Sequence, residues 1–301
     1  MTSLSSVSAA LEGFRVMRRE PKAVLYWIAV WALAIAAIGL IKAVGGGPAA
    51  RAEGAGALGV IRSYGPFAPL LAPMLLALWL MNTATIYRAV LRPGEHGWHL
   101  FKLGADEARI AVVSLIGTVL VVIASLLLWF FLRGPVDLLF GIVSPVSAAA
   151  PGLGLAIAAL GAAATVFLEI WVGVRFSLAP IQTFAEAGFP LDAYWGFARG
   201  RFWRLLGAYL IVVLEIAGFF ALFAIVGLMV EPLFVAVLAW HGPRLVQRLL
   251  IVSVLVPIAA LSSGVVFVVP STLVCACQAH AYRAIAQART AEARAVAVAA
   301  P

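Results

Sequence analysis

The chain has 301 residues, 64% of them hydrophobic and only 11% charged, with a formal net charge of +8. A soluble domain carries about 25% charged residues and needs polar surface to cover its core, so a soluble fold is excluded. The positive charge flanks long apolar runs, which points to a membrane surface and not to nucleic acid.

The N-terminal segment, residues 1–22, is polar, and Leu4 to Glu20 reads as an amphipathic helix. Leu4, Val7, Leu11 and Phe14 share one face, while Arg15, Arg18 and Arg19 lie elsewhere. Such a helix lies on the cytoplasmic surface before the first span. Six apolar runs follow: Ala23–Val44, Pro66–Tyr87, Ile110–Leu132, Gly152–Val174, Leu205–Val230 and Leu249–Cys275. A helix needs about 20 apolar residues to cross the hydrocarbon. The runs are continuous, not alternating, so a transmembrane β-barrel is excluded. The first follows a polar stretch with Glu12 and Glu20, and it reads as a retained anchor and not as a cleaved signal.

The connections carry weaker features. Gly45–Gly65 is rich in glycine and alanine. Val136–Val143 and Leu233–Trp240 are apolar but too short to span, and they read as interfacial or re-entrant pieces. Pro257 and Ser262-Ser263-Gly264 are expected to kink or break the sixth run. Asp106 and Glu107 complement the helix dipole at the start of the third. Beyond Cys277 an Ala-rich helix, residues 278–301, leaves the membrane. The predicted architecture is all-α: a cytoplasmic segment 1–22, a six-helix membrane domain 23–277 and a cytoplasmic tail 278–301.

Orientation follows from the basic residues. Fifteen of the 21 Lys and Arg residues fall in the N-terminal segment, the second and fourth connections and the C-terminal tail. The excess places both termini in the cytoplasm of an inner-membrane protein.

Chemistry-bearing residues are few. Glu169 and Glu215 are the carboxylates well inside apolar runs, each costing about 2.5–3.5 kcal/mol at a helix centre on insertion scales. With Asn82 they could form an intramembrane polar site; the alternative is a pair of protonated or hydrogen-bonded acids that hold helices together. Three runs share an ending, with a polar or soft residue six positions before an arginine: Asn82 and Arg88, Glu169 and Arg175, Cys277 and Arg283. Cys275 and Cys277 read as small packing residues. His96-x-x-His99 lies among Pro93, Gly94 and Gly97, where a helix and a metal site are disfavoured. No metal or cofactor is expected. No nucleophile elbow, zincin motif, P-loop or dinucleotide fingerprint occurs, so no catalytic site is assigned.

The fourth connection interleaves aromatics with arginines, from Gly188 to Leu205. Arg199, Arg201 and Arg204, together with Arg175 and Arg88, are the expected contacts for headgroups or phosphate. Val174-Arg175-Phe176-Ser177-Leu178-Ala179-Pro180, followed by Trp195 through Leu205, resembles a bacterial family of six-span proteins. That family includes the membrane domain that precedes some glycerophosphodiester phosphodiesterases. The resemblance covers about an eighth of the chain. It implies a membrane module without chemistry of its own, since catalysis in the fused members belongs to a separate soluble domain. The expected function is a lipid- or partner-binding membrane module, a scaffold or accessory of the envelope. Its partners would be anionic lipid headgroups and a protein. The alternative is a small-molecule or lipid transporter that uses the intramembrane carboxylates.

Overall fold

A computed structural model describes residues 5–45, 68–92, 104–120, 122–123, 125–126, 151–189, 196–239, 246 and 251–299. Among these residues the regular structure is helical throughout, without strands. The helices are α1 (Ser6–Ala10), α2 (Glu12–Arg19), α3 (Pro21–Gly45) and α4 (Ala68–Leu91), then α5 (residues 105–120), α6 (Pro151–Phe176), α7 (Ala179–Glu186), α8 (Phe202–Ala239) and α9 (Val256–Ala299). A π-helical turn, Ile251–Leu255, leads into α9.

Among the described residues, four helical stretches are long and apolar enough to cross a membrane: Pro21–Leu40, Pro69–Leu91, Phe202–Val237 and Ser253–Val298. They coincide with the first, second, fifth and sixth predicted runs. Of the other two runs, Gly152–Val174 lies within α6, and Ile110–Leu132 begins in α5 and passes beyond the described residues. Large apolar side chains stand exposed along these helices, including Leu33 in α3 and Leu214, Leu228 and Met229 in α8. Helices in lipid need such an outward surface, because every backbone group is already satisfied within the helix.

Several local expectations change. The fifth span and the piece Leu233–Trp240 are not separate elements up to Ala239. Helix α8 runs for 38 residues, straight through Pro232. Proline there removes one donor from the ladder, whereas ending the helix would leave several backbone groups unpaired. Nor does α9 break at Ser262–Gly264. Pro257 follows closely on the π-helical turn, and α9 runs for 44 residues. At 1.5 Å per residue it is about 66 Å long, roughly twice the hydrocarbon thickness. The N-terminal amphipathic helix is two helices that meet at Leu11. Gly45–Gly65, Val136–Val143 and His96-x-x-His99 lie outside the described residues, apart from Gly45 at the end of α3.

The chain divides into two compact units, Met1–Gly104 with Gly207–Pro301, and Ala105–Leu206. In the first, α9 is the hub and packs against α1, α2, α3 and α4. Its core holds Trp27 and Trp31 of α3, Leu78 and Met81 of α4 and Val268 of α9. Trp31 stacks on Phe267, with ring centroids 4.8 Å apart and planes 7° from parallel. The α3–α9 crossing needs glycine: a Cβ at Gly264 would run into the carbonyl oxygen of Ile28. Small residues let membrane helices approach in this way, since packing and not water exclusion drives their association. The second unit has a smaller core, Val113 of α5 and Ala179 of α7 with Phe176 packed against them.

Candidate functional site

Polar side chains form a seam between α4 and α9. Asn82, Thr83, Tyr87 and Thr272 are buried there. Asn82 Nδ2 donates to Ser271 Oγ at 2.9 Å, and Tyr87 Oη donates to Gln278 Oε1 at 2.9 Å. The Cys275 thiol lies 4.0 Å from Thr83 Oγ1. Positions 271, 275 and 278 fall on one face of a helix, so α9 presents a single polar stripe to α4. Asn82 Oδ1 is buried and accepts no hydrogen bond among the described residues. Replacing Ser271 with alanine also removes the partner of the amide nitrogen. The expected loss is about 0.6–1.7 kcal/mol, the range for interhelical hydrogen bonds in membranes, read as a lower thermal midpoint in detergent.

Of the three residues of the predicted polar site, Asn82 and Glu215 belong to the first unit and Glu169 to the second. Asn82 is tied to Ser271. Glu215 lies within electrostatic range of Cys277, six residues and about 9 Å further along α9. One carboxylate oxygen of Glu215, Oε2, is buried and has no hydrogen-bond partner among the described residues. Glu169 belongs to the second unit, where Ser125 Oγ donates to its Oε1 at 2.9 Å. Ser125 carried no signal in the sequence, because serine is common in apolar helices and only the fold brings it to Glu169.

The arginines divide by what they touch. Arg19 donates to the carbonyl of Ala89 at 2.6 Å, and Arg283 to that of Val90 at 3.3 Å. Both carbonyls lie in the last turn of α4, which has no further helical donors to satisfy them, so the two cations cap its negative end. Arg88 lies in that same turn and is half-buried. Arg175, in the last turn of α6, stacks its guanidinium 4.3 Å from the centre of the Trp171 ring, one helical turn earlier.

Arg199, Arg201 and Arg204 gather where α8 begins. Gly200, with φ of +77°, turns the chain between the first two in a left-handed conformation that favours glycine. Arg199 and Arg204 are exposed, and Arg201 is half-buried. Trp203 beside them is 72% exposed. No acid occupies the first turn of α8, so three cations stand at the positive end of its dipole.

A second polar cluster went unread in the sequence. Glu12 of α2 is 5% exposed, and its Oε2 lies 3.2 Å from Arg15 Nη1 and 3.4 Å from His280 Nδ1 of α9. The other ring nitrogen of His280, Nε2, lies 3.4 Å from Ser8 Oγ of α1, to which Arg15 Nη1 donates at 3.3 Å. Ser8 and His280 are 272 positions apart, and no local pattern joins them. Close packing holds the cluster together: a Cβ at Gly13 would come within 2.7 Å of Leu273 Cα.

In the second unit an open groove of about 320 Å³ runs between α5, α6 and α7, lined by Val113, Gly117, Thr118, Gly173, Phe176 and Pro180 among others. Among the described residues no three His, Cys, Asp or Glu side chains gather as a metal site. Comparison with protein families, with curated proteins and with solved structures finds no match for this chain.

Proposed function

We propose that the chain is a six-span inner-membrane module, with both termini cytoplasmic, that binds anionic lipid headgroups at its cytoplasmic face in a scaffold or accessory role. The observation that carries this is the start of α8, where exposed Arg199 and Arg204 flank a Trp203 that is 72% exposed, at the positive end of a long apolar helix. Guanidinium groups suit phosphate, and tryptophan suits the headgroup layer. The N-terminal helices support the same reading. Val7, Leu11 and Phe14 are exposed, and Arg15, Arg18 and Arg19 are exposed beside them. The apolar stripe predicted from the sequence thus points away from the helices that α1 and α2 pack against, as in a helix resting on lipid. The resemblance read in residues 174–180 and 195–205, to a family that includes the membrane domain of certain phosphodiesterases, would point to a lipid-related role as well.

The test is mass spectrometry of lipids retained after mild detergent extraction. Anionic phospholipids should be enriched over their share of the source membrane. Retention in proportion to membrane composition would sink the proposal. A reporter fused to either end should be active only on the cytoplasmic side.

The second reading, a transporter, is favoured by the buried oxygen of Glu215, which has no hydrogen-bond partner among the described residues. An ionisable group inside a span marks a substrate or proton path by default. Glu215→Gln distinguishes the two: a proton-coupled carrier loses proton uptake in proteoliposomes, whereas lipid retention by a scaffold is unchanged.

A further inference from the structure

The cluster of Ser8, Glu12, Arg15 and His280 has the connectivity of an acyl-transfer site. Ser8 Oγ faces His280 Nε2 at 3.4 Å, and Glu12 Oε2 faces the opposite ring nitrogen at 3.4 Å. Nδ1 makes no hydrogen bond among the described residues, but the Glu12 carboxylate 3.4 Å away attracts a proton to that nitrogen, which leaves Nε2 as the acceptor toward the hydroxyl. These distances exceed ordinary hydrogen-bond lengths, as catalytic contacts often do before substrate binds. The Glu12 side chain is 7% exposed and that of His280 18%, so the pair is shielded from water, while Ser8 is half-buried. Arg15 Nη1 lies 3.3 Å from Ser8 Oγ and 3.2 Å from Glu12 Oε2, so a cation borders the hydroxyl. A structural clasp would need only the ion pair; it would not need a hydroxyl on the free nitrogen of the imidazole.

We propose that Ser8, His280 and Glu12 form a nucleophile, general base and positioning carboxylate that cleave acyl esters at the membrane surface. Ser8 Oγ adds to the ester carbonyl carbon as its proton passes to His280 Nε2, and the carbonyl oxygen becomes an oxyanion. Collapse breaks the acyl C–O bond, and the alcohol leaves with the proton from His280. Water, deprotonated by His280, then attacks the acyl-serine, releases the carboxylic acid and restores Ser8. The substrate class follows from the surroundings: Val7, Leu11 and Phe14 stand exposed on the same helix pair, a surface that meets lipid esters before soluble ones. The choice of substrate rests on the lipid-binding proposal above, but the relay does not.

The test is labelling of the full chain in detergent by a fluorophosphonate, a serine-directed phosphorylating probe, with the modified peptide mapped by mass spectrometry. Wild type should be labelled at Ser8, and Ser8→Ala should abolish labelling while Ser6→Ala retains it. His280→Gln should slow labelling by about 100-fold or more, the usual share of a general base. Glu12→Gln should slow it and displace its pH profile, which loss of a mere packing contact would not do. A wild-type chain that stays unlabelled, labelling at another serine, or an unchanged rate in His280→Gln would overturn the relay. Mapping on wild type needs no variant to fold. Because the assay contains no phospholipid, failure of lipid binding leaves its outcome untouched.

Discussion

Gly264→Leu is expected to unseat α3 from α9 and lower stability by about 1–3 kcal/mol or more, the usual cost of overpacking. The reason is where the new atoms would go. Even a Cβ at this position meets the Ile28 carbonyl oxygen, and the Ala32 backbone nitrogen lies 3.2 Å from it. Backbone cannot move aside as a flexible side chain can, so the helices must separate. Separation would also part Trp31 from Phe267 three residues along α9. A control sharpens the prediction. Gly227 in α8 has open space where its Cβ would stand. Gly227→Ala should therefore be neutral or stabilising, by up to about 1 kcal/mol, because alanine is the better helix former. Thermal midpoints of the purified variants in detergent decide both signs. A Gly264→Leu protein as stable as Gly227→Ala would mean that the α3–α9 crossing is wrongly placed.

Replacing Arg199, Arg201 and Arg204 together with glutamine is expected to weaken retention of anionic lipid by on the order of 100-fold. Each basic residue near an anionic surface contributes about 1 kcal/mol, and every 1.4 kcal/mol is tenfold in affinity. The measurement is titration of the protein in neutral nanodiscs with a labelled anionic phospholipid. The loss should shrink as salt rises, because exposed charges are screened over about 8–10 Å at physiological ionic strength. The double replacement Arg19→Gln and Arg283→Gln makes the contrast. These arginines hold the carbonyls of Ala89 and Val90, so their loss should lower stability and leave lipid affinity nearly intact. Equal effects of the two variants on lipid affinity would remove the distinction between headgroup arginines and capping arginines.

The sequence separated those arginines imperfectly. Arg283 was read as the mark of a repeated helix end, and Arg19 as part of a surface helix. Their carbonyl partners lie in α4, 193 and 70 positions away, so no local pattern could reveal them. Asn82 and Glu215 were legible because a polar side chain inside an apolar run is conspicuous wherever it points. Their partners, Ser271 for one and the neighbourhood of Cys277 for the other, were not, since hydroxyls and thiols are ordinary in membrane helices. Glu12 was hidden for the opposite reason. It sits among charged neighbours in a polar segment, and only docking of α2 on α9 buries it.

Composition and the length of the apolar runs determined by themselves that this is an all-helical protein with helices made for a membrane. Lipid accepts only segments that satisfy their own backbone, and that demand is written locally, residue by residue. Tertiary structure alone decided which helix is the hub, that Pro232 and Ser262–Gly264 leave their helices continuous, and that Ser8 and Glu12 meet His280. These outcomes depend on close packing between segments distant in the chain, where one glycine or one hydroxyl counts. Hydropathy, summed over about 20 residues, is blind to them.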